Sequence, residues 1–167
     1  MQAWAGFYTA TAAASAALLG LLFVVVSINA PAALGPDEAV SRRLTEQAFQ
    51  NYLAVMMVSL LALFADIRTS VFGGVTLAST AIWSVWVFIR FGQAVFHRAA
   101  PRAWILAIRR HLSSLIGFAM LLFAAVRMTL DVGDNYSWLA ASMLVLLFSS
   151  TAVSWEVLAR IAHREER

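Results

Sequence analysis

The ionisable side chains within or beside the apolar stretches are few, and six of them recur at one interval. Arg42 with Glu46, Arg127 with Asp131, and Glu156 with Arg160 are each four residues apart. Residues at that spacing share a helix face, so local ion pairing is expected, with the long arginine stems reaching toward water. Arg90 is the exception, because it lies among Phe88, Ile89 and Phe91 with no acid three or four residues away. A charge in such a setting is a functional candidate. It either extends to lipid headgroups or turns inward to Glu46 or Glu156, and an Arg90–Glu156 pair between helices is the sharper expectation.

Neutral polar residues form a second group. Ser27 and Asn29 precede a short break, and Gln47 and Asn51 follow it. Amides and hydroxyls in apolar surroundings need partners. These four, with Glu46, therefore either bridge helices or form a polar vestibule for an ion or ligand. Thr76, Ser79, Thr80, Trp83 and Val87 fall along one side of a helix, and Ser142, Ser149, Ser150, Thr151 and Ser154 punctuate another. Such hydroxyls either bond back to the preceding turn or line a polar path. In a symmetric oligomer Thr76 and Thr80 would line a central pore, with Trp83 as its constriction.

Other chemistry is harder to place. His97, His111 and His163 lie near the ends of apolar stretches, with no third ligand or supporting acid for zinc. Cysteine and lysine are absent, which removes disulfides, thiolate chemistry and a phosphate-loop lysine. Neither a Gly-x-Ser-x-Gly nor a His-Glu-x-x-His pattern occurs. The expectation is a protein without metal, cofactor or catalytic site.

The elements that must carry these residues follow from composition. Of 167 residues, 62% are hydrophobic and 13% charged, and the mean hydropathy is +0.79. A soluble domain is about half apolar and a quarter charged, so the bilayer is the expected solvent. Crossing it takes about 20 apolar residues. Five stretches qualify, at about residues 7–28, 46–66, 74–96, 112–130 and 138–158. The second has a short apolar core at about 52–65, with helix starting upstream near Ser41 or Thr45. Pro31, Gly35 and Pro36 end the first, Gly73-Gly74 reads as a break before the third, and Pro101 and the segment 131–135 separate the others. With no repeat or linker visible, residues 1–167 read as one all-α transmembrane bundle.

Orientation follows from arginine. Arg42 and Arg43, then Arg98, Arg102, Arg109 and Arg110, then Arg160, Arg164 and Arg167 fall on one side only if the crossings are odd in number. The N-terminus is therefore expected outside and the C-terminus in the cytoplasm. No basic residue precedes Arg42, so a cleaved signal peptide is not expected. The pI near 10.2 reflects this cytoplasmic rim, since no basic stripe is interleaved with recognition residues for nucleic acid. Arg98, Arg102, Arg109 and Arg110 are candidates for anionic lipid headgroups.

Ala10, Ala13, Ala17 and Gly20 give the first helix a small-residue face suited to close helix contact, within the bundle or between protomers. The run Leu19-Gly20-Leu21-Leu22-Phe23-Val24-Val25-Val26-Ser27-Ile28-Asn29 resembles the first helix of a family of small polytopic bacterial inner-membrane proteins. There a Gly-Leu-Leu-Phe-Val run ends in Ser-Ile-Asn before a short basic connection and a second apolar helix. The resemblance covers about the first third of the chain. It implies a bacterial inner-membrane location and marks Ser27 and Asn29, but implies no activity. The leading expectation is a homo-oligomeric channel or small transport protein. The alternatives are a non-catalytic accessory or scaffold subunit with a membrane partner, and a bundle that binds lipid or cofactor.

Overall fold

The computed structural model describes the backbone of residues 2–30, 39–64, 69–96, 101–132 and 136–165, and the side chains of 4–30, 40–64, 69–85, 89, 112–132 and 136–162. Five helices account for nearly all of it: α1 (Gln2–Ile28), α2 (Ala39–Ala62), α3 (Thr69–Phe96), α4 (Pro101–Thr129) and α5 (Tyr136–Glu165). No strand occurs among the described residues. Three segments are long and apolar enough to cross a membrane: Trp4–Ile28, Leu112–Thr129 and Tyr136–Ala162. The apolar part of α3, Thr69–Val85, is shorter. In α2 the first half carries Arg42, Arg43, Glu46, Gln47 and Gln50, which dilutes its apolar character.

Neighbours along the chain are not always neighbours in space. α1 packs along α2, α2 along α5, α5 along α4 and α4 along α3, while α2 meets α3 only slightly. The bundle is thus a row, α1–α2–α5–α4–α3, with α3 on one flank resting almost wholly on α4. Two apolar cores fill it. One joins Tyr8, Val55, Phe72, Leu121, Met128 and Met143 at the end where α3 begins and α4 finishes. The other joins Leu22, Leu44, Tyr52, Val153 and Val157 at the opposite end. Large apolar side chains also point outward, among them Ile82 (70% exposed), Phe148 (78%) and Trp155 (73%). Facing water they would forgo the 1.5–3 kcal/mol, roughly, that burial of such a side chain yields. They fit apolar surroundings, as in a membrane protein.

Two local readings need correction. Gly73-Gly74 does not break a helix, since α3 starts at Thr69 and runs through both. Glycine serves there for close approach: a Cβ on Gly73 would lie 2.6 Å from the Thr129 backbone nitrogen and 2.8 Å from the Met128 carbonyl carbon. Arg127 and Asp131 do not form an ion pair. Asp131 has φ 55°, a left-handed residue just past the end of α4, so the four-residue spacing no longer keeps both on one face.

Candidate functional site

The polar residues of α2 meet α4 and α5 at a single hydroxyl. Gln47 donates from Nε2 to Ser114 Oγ at 2.9 Å, and Asn51 donates from Nδ2 to the same oxygen at 2.8 Å. A serine hydroxyl has two lone pairs and one proton. The two amides occupy both lone pairs, so the Ser114 proton must point to Ser149 Oγ, 3.1 Å away. Ser149 in turn lies 2.8 Å from Ser113 Oγ, and either hydroxyl can donate there. Asn51, Ser114 and Ser149 are each about 1% exposed. The direction of donation is therefore set from α2 to α4 to α5. The carbonyl oxygen of Gln47 remains buried with no hydrogen-bond partner.

The other members expected at this spot are elsewhere. Ser27 is exposed, and Asn29 turns back on its own helix, its Nδ2 donating to the Val25 carbonyl at 3.1 Å. Glu46 faces Arg42 at 3.9 Å, and Glu156 holds Arg160 through Nε at 3.1 Å and Nη2 at 2.9 Å. Arg90 lies in α3 with its side chain outside the described residues, as do the side chains of Trp86, Arg98, Arg102, Arg109, Arg110 and the three histidines. The Arg90–Glu156 pair and the headgroup cluster therefore fall outside what the structure describes.

On α3 the expected stripe faces inward. Thr76 is fully buried, Thr80 is 3% exposed and Ser84 6% exposed. Because α3 rests almost wholly on α4, these buried hydroxyls lie along the α3–α4 seam. Thr76 Oγ1 and Ser84 Oγ have no hydrogen-bond partner. They do not bond back to the preceding turn as most other helical hydroxyls here do: Ser79 reaches the Thr76 carbonyl at 3.0 Å, Ser142 the Leu139 carbonyl at 2.7 Å and Ser150 the Leu146 carbonyl at 2.8 Å. Trp83, half-buried, packs against the core beside the stripe.

Sequence reasoning found Thr76 and Thr80 but passed over Ser84 and Ser114. Ser84 continues the four-residue interval by one more turn, a signal that was present. Ser114 had none, because a serine pair at the head of an apolar run says nothing about two amides 63 and 67 residues away. Among the described residues that are buried as a whole, the polar side chains are hydroxyls and the Asn51 amide, and none carries a formal charge. The interior offers dipoles rather than charge, suited to holding water or a weakly bound cation. Compared with models of known protein families, with curated proteins and with solved structures, the chain matches none.

Proposed function

We propose that this chain is a multi-pass inner-membrane protein with five crossings, N-terminus outside and C-terminus in the cytoplasm, that passes a small polar or cationic species along the α3–α4 seam. The observation that carries this reading is the pair of buried, partnerless hydroxyls on Thr76 and Ser84, with buried Thr80 between them. A buried donor left unpaired costs about 1–3 kcal/mol, and folded proteins keep few of them. Oxygens spaced by four residues along a helix stand about 6 Å apart, and a series of weak sites is what conduction requires. The stripe is buried within the protomer, which favours a path inside each chain over a pore shared at the centre of a homo-oligomer. Reconstituted protein should carry flux into liposomes, and Thr76→Val with Ser84→Ala should reduce it about tenfold without unfolding the bundle. Unchanged flux in that folded double variant would remove the path. Reporters fused to each terminus test the five crossings, because an even count would leave both on one side.

A second reading, a non-catalytic accessory subunit or homo-oligomer, is favoured by one observation. Ala10, Ala13, Ala17 and Gly20 all face outward, and Gly20 has no atom of the bundle within 4 Å of where a Cβ would sit. With no native cysteine, Ala13→Cys and Ala17→Cys are clean cross-linking probes. A cross-linked dimer supports self-association, a cross-link to another membrane protein supports the accessory role, and monomer alone removes both.

A further inference from the structure

Arg127 and Asp131 bracket the turn that ends α4 and form no ion pair with each other. The helix closes here in a tight turn: Asp131 N–H donates to the Met128 carbonyl at 3.2 Å and Val132 N–H to the Arg127 carbonyl at 3.0 Å. That turn puts Asp131 in the left-handed region, φ 55°. Arg127 Nη2 donates to the Val132 carbonyl at 3.3 Å, and the guanidinium carbon lies 5.6 Å from the centre of the Phe123 ring. Of the five N–H donors a guanidinium carries, one is engaged by an acceptor among the described residues. The Nε atom is buried without one. Asp131 is exposed, and among the described residues its carboxylate takes part in no ion pair.

The surroundings are apolar and outward-facing. Phe123 is 47% exposed and Trp138 46% exposed, and their rings meet edge to face at 5.5 Å. Leu130 and Val132 flank them, also exposed. Aromatic rings in this position sit at the level of lipid headgroups. A cation and an anion bracketing one helix-ending turn, beside such a surface, match a headgroup that carries both signs. We propose that this patch binds a zwitterionic lipid with a primary ammonium, of the phosphatidylethanolamine class. Arg127 takes the phosphate, through the charge-assisted geometry that suits guanidinium, and Asp131 takes the ammonium. The acyl chains lie along Phe123, Val126 and Trp138. A purely anionic lipid meets repulsion from Asp131, and a quaternary choline offers Asp131 no N–H to donate.

The inference rests on the chain being in a bilayer with this end at its surface, and not on flux through the α3–α4 seam, so either can fail alone. Purified full-length protein is titrated, in detergent, with phosphatidylethanolamine, phosphatidylcholine and phosphatidylglycerol of matched chains, and retained lipid is counted by native mass spectrometry. Phosphatidylethanolamine should be retained at least fivefold over the other two. Asp131→Asn, which tolerates the left-handed backbone, should erase that preference. Arg127→Gln should lower retention of all three, with Phe123→Leu as a second variant should Arg127→Gln not fold. Equal retention of the three lipids by the unaltered protein, preferred retention of phosphatidylglycerol, or a preference that survives Asp131→Asn would each overturn the assignment.

Discussion

Arg127 and Val132 are bonded to each other in both directions: the Val132 N–H donates to the Arg127 carbonyl at 3.0 Å, and Arg127 Nη2 donates to the Val132 carbonyl at 3.3 Å. The first bond spans six residues and, with the shorter Asp131-to-Met128 bond inside it, makes the paired closure that ends many helices. Such a closure needs a left-handed residue, normally glycine, and here Asp131 supplies it at φ 55°. Asp tolerates that region better than most residues but less well than glycine. Its charge also opposes the negative end of the helix dipole. Asp131→Gly should therefore raise stability by about 0.5–1 kcal/mol, and Asp131→Val should lower it. Thermal unfolding followed by circular dichroism in one detergent ranks the three proteins. Any order other than Gly above Asp above Val would mean the closure is not under strain.

Gly73 and Gly20 make a matched pair for testing helix contact. At Gly73 a new Cβ would fall 2.6 Å from the Thr129 nitrogen and 2.8 Å from both the Met128 carbonyl carbon and Cβ, mostly backbone that has nowhere to go. At Gly20 it would meet nothing within 4 Å. Gly73→Ala should destabilise the bundle by about 1–3 kcal/mol, the usual range for overpacking, and loosen α3 from α4. Gly20→Ala should be neutral or slightly stabilising, since alanine is the better helix former by up to about 1 kcal/mol. Equal effects at the two positions would show that the α3–α4 contact is not as close as 2.6 Å implies.

Much of the architecture was legible because it rests on composition. Five apolar stretches become five helices; 138–158 lies within α5, whereas α4 begins at Pro101, well before the expected 112. The pairs Arg42–Glu46 and Glu156–Arg160 formed as spacing alone predicts. What escaped was whatever depends on contact between distant segments. Gly73 reads as punctuation in one dimension and as a contact in three. Arg127–Asp131 has the spacing of an ion pair, but the helix stops one residue too soon for spacing to matter. Thr76 and Thr80 were legible as a stripe, whereas the direction they face depends on α3 lying on the flank of the row.

Ser114 is the acceptor on which two amides depend. Ser114→Ala leaves the Nε2 of Gln47 and the Nδ2 of Asn51 without their acceptor at 2.9 and 2.8 Å. Stranding a buried donor costs about 1–3 kcal/mol, although interhelical hydrogen bonds in membrane proteins often measure nearer 0.6 kcal/mol. The single variant should therefore lose about 1–3 kcal/mol. Asn51→Leu combined with Ser114→Ala should lose less than the two singles added together, because each removes the other's orphan. A double-mutant cycle on unfolding midpoints reads this coupling. Strict additivity would mean that Ser114 does not receive both amides.

Thr76 offers the sharpest separation of packing from transport, because the two accounts agree on stability and differ on flux. Its Oγ1 is buried with no partner, and valine has nearly the same shape without the hydroxyl. If the hydroxyl only packs, removing it relieves an unpaired polar atom, so Thr76→Val should gain about 1 kcal/mol and change nothing else. If the hydroxyl lies on a path for water or a cation, stability still rises while flux in proteoliposomes falls, since the passing species loses an oxygen. Ser84→Ala should behave alike, one end of the stripe to the other. Ser79, whose hydroxyl is already committed to the Thr76 carbonyl at 3.0 Å, is the control: Ser79→Ala should leave flux unchanged. The α3–α4 path requires a stabilised Thr76→Val protein with about tenfold less flux, whereas stabilisation with full flux leaves Thr76 as a polar flaw in a packing surface.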